Sequence, residues 1–189
     1  WGRKKSGGTW GKIMAVERIL FKDCNVVNED PGHYSINDDE LIIETSCGSM
    51  WWKGNTCKNL FLFPAIMKDL SVDVVVTFLP ENNGEQAGLV LYRDSDNYVK
   101  LVREMVNHQH VVVLAKEIHG NPETIMMEEV SSAEVKLRID VDHKGIGLGW
   151  KVSGSVEEQI NGIENWLGHG ADVKVGLLVH GRNKENKAK

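Results

Sequence analysis

The sequence predicts an all-β protein, a single antiparallel sandwich or barrel of about a dozen short strands. Two observations carry that expectation. Apolar residues recur with period two over most of the chain, the mark of strands with one buried and one wet face. Turn-forming clusters punctuate those runs every 8 to 14 residues, the rhythm of a sandwich or barrel.

The alternation is cleanest in the second half. Val135, Leu137, Ile139 and Val141 point one way, and Glu134, Lys136, Arg138 and Asp140 the other. Val72, Val74, Val76 and Phe78 repeat the pattern against Ser71, Asp73 and Thr77, and Val173, Val175, Leu177 and Val179 do so again. Residues 86–93 and 98–106 are aliphatic on both sides, so both faces of those strands are expected to be covered. Asp94, Ser95, Asp96 and Asn97 join them as a four-residue hairpin loop, and Asn107-His108 makes a tight turn into a strand over 109–116. Further strands are expected over 41–45, 60–63, 124–129, 146–152 and 156–160. Glu164 to Gly168 reads as a short helical turn. Pro64 argues against a helix over 60–68. No linker divides the chain, so residues 15–180 read as one domain. A flexible arm over 1–14 precedes it and a polar tail over 181–189 follows. The start at Trp1 in place of methionine reads as a fragment.

Composition excludes several functions. A net charge of −5 gives no basic excess for nucleic acid. No apolar run approaches the roughly 20 residues of a membrane span, and no signal-peptide core is visible. Three cysteines, Cys24, Cys47 and Cys57, make a poor disulfide framework. They read as reduced thiols in a cytoplasmic protein, with Cys47–Cys57 as the one pairing open in an oxidising compartment.

Few residue sets suggest chemistry. Lys100 and Glu104 share a face of one strand but lie about 13 Å apart along it. Each needs a partner on a neighbouring strand, and Gln86 is one candidate. They fit either a polar patch that holds a small ligand or a satisfied structural network. Hairpin register decides whether Gln86 shares their face. Trp51 and Trp52 point to opposite sides of an extended segment, so one could line a groove while the other packs inward. With Tyr92 they complete the candidate ligand-binding set of Trp51, Trp52, Gln86, Tyr92, Lys100 and Glu104. No catalytic set is marked. Glu104 has no partner carboxylate at glycosidase separation, and Ser49 has no nucleophile elbow. His108 and His110 lack a third metal ligand. Gly145-Ile146-Gly147-Leu148-Gly149 lies between strands, not before a helix, so no nucleotide cofactor is expected.

Several segments together resemble a known family. They are Met50-Trp51-Trp52, Glu85 to Tyr92, Asn97 to Glu104, Val135 to Ile139, Gly149 to Gly154 and Val175 to Leu178. In this order they are similar to a concanavalin-A-like jelly-roll family of unknown function, which includes a fungal regulator of enolase. They are also similar to the accessory jelly-roll domains of β-xylosidases. The resemblance covers roughly residues 15 to 180 and implies a concanavalin-A-like antiparallel β-sandwich. It implies a non-catalytic cytoplasmic regulatory protein that binds a protein partner or a small metabolite, without a cofactor. The alternative is a carbohydrate-binding module using its concave face; a glycoside hydrolase ranks third. The sequence departs from the family where Met50 replaces an acid, Val102 a glycine and Arg103 an apolar residue. The family's closing strand is absent after Lys189, which reads as truncation.

Overall fold

The computed structural model describes residues 21–37, 40–51, 55–63, 69–142, 145–152, 154–155, 159–168, 172–181 and 187–188. The arm expected over 1–14 and Trp52 lie outside these. Fourteen strands follow in order: β1 (Asn25–Val27), β2 (Tyr34–Asn37), β3 (Glu40–Glu44), β4 (Leu60–Leu62), β5 (Leu70–Thr77), β6 (Gln86–Asp94), β7 (Asn97–Val106), β8 (Gln109–Ile118), β9 (Asn121–Glu129), β10 (Glu134–Val141), β11 (Ile146–Val152), β12 (Gln159–Ile163), β13 (Lys174–His180) and β14 (Lys187–Ala188).

Among the described residues they form three sheets. The large one runs β1-β4-β13-β6-β7-β8-β9; a four-stranded sheet runs β12-β11-β10-β5; a three-stranded one runs β14-β3-β2. All pairs are antiparallel. The architecture is the all-β sandwich that the period-two pattern predicts.

The seven-stranded sheet is apolar on both faces, as the aliphatic β6 and β7 require. Phe61, Leu89, Leu101, Leu114 and Leu177 pack on one face against Val76, Leu137 and Leu148 of the four-stranded sheet. The opposite face carries Leu60, Leu62, Val90, Val102, Val113 and Leu178, and Met50 and Cys57 pack on it. Two glycines permit close approach within the large sheet. A Cβ at Gly88 would collide with the Leu101 carbonyl, and one at Gly176 with the Phe61 carbonyl. A cavity of about 460 Å³ separates β3 from β5; its lining includes Leu41, Val74, Val76, Ala87 and Val179 and none of the predicted site residues.

Turn chemistry explains the hairpins. Asn107 and His108 both have positive φ, at 50° and 63°, the two-residue loop that matches strand twist. The β6–β7 loop is shorter than the expected four residues. Asp94 pairs with Asn97, so only Ser95 and Asp96 lie between them, and the register shifts by one residue between Tyr92 and Asp94. At Glu164–Gly168 there is no helix; among the described residues short 3₁₀ turns lie at Phe21–Asp23 and Pro31–His33. The last part of the chain is not only a polar tail. The Gly181 N–H donates to the Ser46 carbonyl at 3.0 Å, and Lys187–Ala188 pair with β3. Cys24, Cys47 and Cys57 are free thiols, Cys47 exposed and Cys57 buried.

Two charged residues are sealed in, Glu85 just before β6 and Arg103 in the second half of β7, with opposite degrees of compensation. The Glu85 carboxylate accepts from the Glu81 and Asn82 backbone N–H groups at 2.8 and 3.2 Å and from the Asn82 side chain at 2.8 Å. Arg103 shares the inner face of β7 with Leu101, between Ala87 and Val112 in register. It is fully buried, and none of its three guanidinium nitrogens has a partner. Burial pulls it down to about 10. An unpaired buried charge is replaced by an apolar side chain of similar length with a gain in stability. Arg103→Met is therefore expected to stabilise the fold by about 1–3 kcal/mol in denaturant unfolding. A lower midpoint for Arg103→Met would show that the guanidinium is compensated.

Candidate functional site

The polar residues of the large sheet collect on its outer face, opposite the four-stranded sheet, because of register. Gln86 pairs with Glu104 across β6 and β7, and with His180 across β6 and β13. Directly opposed residues of antiparallel strands share a face, so His180, Gln86 and Glu104 form one transverse row. Lys100 lies on the same face, opposite Val90 and Ala115. Its side chain reaches forward along β7 toward Glu104, and the Lys100 Nζ donates to Gln86 Oε1 at 2.7 Å. The Trp51 ring covers the amine, with its centroid 5.0 Å from Nζ, within cation–π range. The structure thus brings together Trp51, Gln86, Lys100 and Glu104. Tyr92 does not join them: it pairs with Tyr98 and Lys174, on the far side of the Lys100 row from Gln86.

Trp51 is positioned from both ends of its loop. Ser49 Oγ accepts the Trp51 N–H at 3.0 Å, and Thr56 N–H donates to the Ser49 carbonyl at 2.9 Å. Met50 is anchored beneath. The buried Tyr98 hydroxyl, 2.7 Å from Glu117 Oε2, lies 2.9 Å from the Met50 carbonyl. Of the residues that hold this loop, Tyr98 lies in the Asn97 to Glu104 segment that carries the family resemblance, and Glu117 carries no motif that marks it in the sequence.

Burial dominates the electrostatics. Lys100 is 1% exposed, and its amine is pushed down to about 8 by desolvation, against the opposing pull of Glu104, Cys57 and Glu117. Desolvation also raises Glu104, partly offset by Lys100, and pushes the Cys57 thiol up to about 12. His180 is the residue that sequence reasoning missed. It is 5% exposed, and neither ring nitrogen has a hydrogen-bond partner. Burial, then the Lys100 charge, pull it down to about 3, so the imidazole is neutral near pH 7. Its one sequence signal is parity, since it ends β13 on the opposite face from Val175, Leu177 and Val179.

The arrangement offers donors, acceptors and an indole face. Glu104 lies opposite Val111, and Glu117 is six residues farther along β8 on the same face. That separates their two backbone rows by about 20 Å, and both carboxylates act on the Lys100 amine that lies between those rows. Among the described residues no group of three His, Cys, Asp or Glu side chains could hold a metal ion. None of their helices is long and apolar enough to cross a membrane.

Residues 44–171, more than half of the chain, match the β-xylosidase C-terminal concanavalin-A-like domain. The chain belongs to that family. Its fold is shared by a glycoside-hydrolase-family-43 protein of Bacillus licheniformis, at 18% identity and a TM-score of 0.76 over 88% of this chain and 35% of that one. A xylan β-1,4-xylosidase of Bacillus halodurans matches at 17% identity and a TM-score of 0.70, over 84% and 33% of the two chains. The chain therefore spans about a third of those proteins. A functionally unknown protein of Saccharomyces cerevisiae matches at 11% identity and a TM-score of 0.70, over 89% of this chain and 92% of that one. Among curated proteins no sequence matches.

The Lys100 amine gives this concanavalin-A-like domain a pH signature. Its affinity for protons is lower folded, about 8, than unfolded, 10.5. Between those values the unfolded chain binds more protons, so stability rises with pH. The full effect is about 3 kcal/mol. Unfolding curves from pH 7.5 to 10.5 should show the wild type gaining stability relative to Lys100→Met. Parallel curves would mean that the amine is solvated.

Proposed function

We propose that this chain is a non-catalytic binding domain that holds a small polar ligand on the concave face of its large sheet. The observation that carries this reading is the Lys100 amine, buried under Trp51 and hydrogen-bonded to Gln86 with Glu104 on the same face. Ligand sites combine apolar walls with a few convergent polar groups, and this cluster has both. The match to a C-terminal domain of β-xylosidases supports binding without turnover.

A saccharide suits the site, because an indole face stacks on a sugar ring while the charged and amide side chains take its hydroxyls. A regulatory role is the second reading. It is compatible with the yeast chain of unknown function, in which this fold makes up 92% of the chain. In that reading the domain senses a metabolite or protein partner in the cytoplasm, and the link to enolase comes from the family resemblance alone.

Calorimetric screening of sugars and glycolytic metabolites against the wild type and Glu104→Gln tests the site. The substitution keeps shape and removes charge. Binding should weaken by about 1.5–3 kcal/mol, the range for hydrogen bonds to charged groups, with little change in melting temperature. Unchanged binding together with a lowered melting temperature would make Glu104 structural and remove the site.

A further inference from the structure

We infer that His180 is a ligand-contacting residue of the concave site, and that the site is built for a neutral ligand carrying two adjacent hydroxyl groups. This rests on the concave-face reading above. His180 stands in one transverse row with Gln86 and Glu104, close enough to Lys100 to feel its charge. It is almost wholly buried, yet both ring nitrogens lack partners. Buried polar atoms of side chains are nearly always hydrogen-bonded. A neutral imidazole offers one N–H donor and one lone pair. A hydroxyl complements either nitrogen, because it both donates and accepts.

The neighbours extend the same logic. Lys100 supplies donors, and Glu104 supplies acceptors on the same face. One ligand hydroxyl can accept from Lys100 and donate to Glu104 while its neighbour pairs with His180. The Trp51 ring gives the apolar carbon skeleton a wall. An anion is disfavoured. The single Lys100 cation already faces Glu104 and Glu117, and the imidazole adds no charge.

The test uses the full chain with trans-1,2-cyclohexanediol and myo-inositol as diol probes, cyclohexanol as the single-hydroxyl control, and acetate and inorganic phosphate as anions. The readouts are the indole N–H resonance of Trp51 and the ring ¹⁵N resonances of His180. Both diols should move both signals, and the other three probes should move neither. His180→Leu should weaken diol binding at least tenfold. His180→Gln, which keeps a donor and an acceptor, should restore most of it. Diol binding that moves Trp51 but is unchanged in His180→Leu would overturn the role of His180 and leave the concave site standing. Acetate or phosphate moving both signals would overturn the assignment of ligand class. No response at Trp51 or His180 to any probe would overturn the concave-face reading itself.

Discussion

The polar cluster of Gln86, Lys100, Glu104 and His180 depends on a one-residue shift in the β6–β7 hairpin. Asp94 pairs with Asn97, but from Tyr92 onward each partner is displaced by one. Had the pairing run on unshifted from Asp94–Asn97, Gln86 would lie opposite Met105, with its side chain on the inner face beside Arg103. Lys100 and Glu104 would then meet the odd-numbered residues of β6, and the amine would lose its amide acceptor. The bulge turns Gln86 to the outer face, where it opposes Glu104 and accepts from Lys100. A β-bulge next to a binding site is a recurrent device, because one extra residue re-aims every side chain beyond it.

The second dependence is on cover. The central strands carry apolar residues on both faces, so both faces must be shielded from water. The four- and three-stranded sheets shield one. On the other, Met50 and Cys57 pack directly onto the sheet, with Trp51 partly buried beside them. The same packing that protects Val90, Val102 and Leu178 desolvates Lys100 and places an indole over it. Core formation and site formation are thus one event on this face. That explains why polar side chains as costly as Lys100 and His180 persist at the sheet centre.

The sandwich class was legible because period-two alternation and turn residues are local signals. β5, β7, β8, β10 and β13 were readable within a few residues from that pattern alone. β1 and β2 were missed, being only three and four residues long and half exposed. β12 was placed early, over 156–160 instead of Gln159–Ile163. Gln86, Lys100 and Glu104 could be singled out, but their convergence could not. It rests on a register that a four-residue loop and a two-residue loop with a bulge set oppositely. His180 was invisible for a related reason. Its importance comes from standing beside Gln86, 94 positions away in the chain, and nothing local announces that pairing.

Arg103 and Lys100 show how little separates a structural defect from a site. They are three residues apart on one strand, both buried, and by parity they face opposite ways. Arg103 enters a core of Leu101, Ala87 and Val112 that has nothing to give it, at a position where the family resemblance leads one to expect an apolar residue. Lys100 faces an amide oxygen, an indole ring and nearby carboxylates. Desolvation lowers both groups, so burial alone does not distinguish them. Convergence does: a buried cation surrounded by complementary groups, beside an imidazole still lacking partners, has the composition of a recognition site. A buried cation among aliphatic side chains has only a cost.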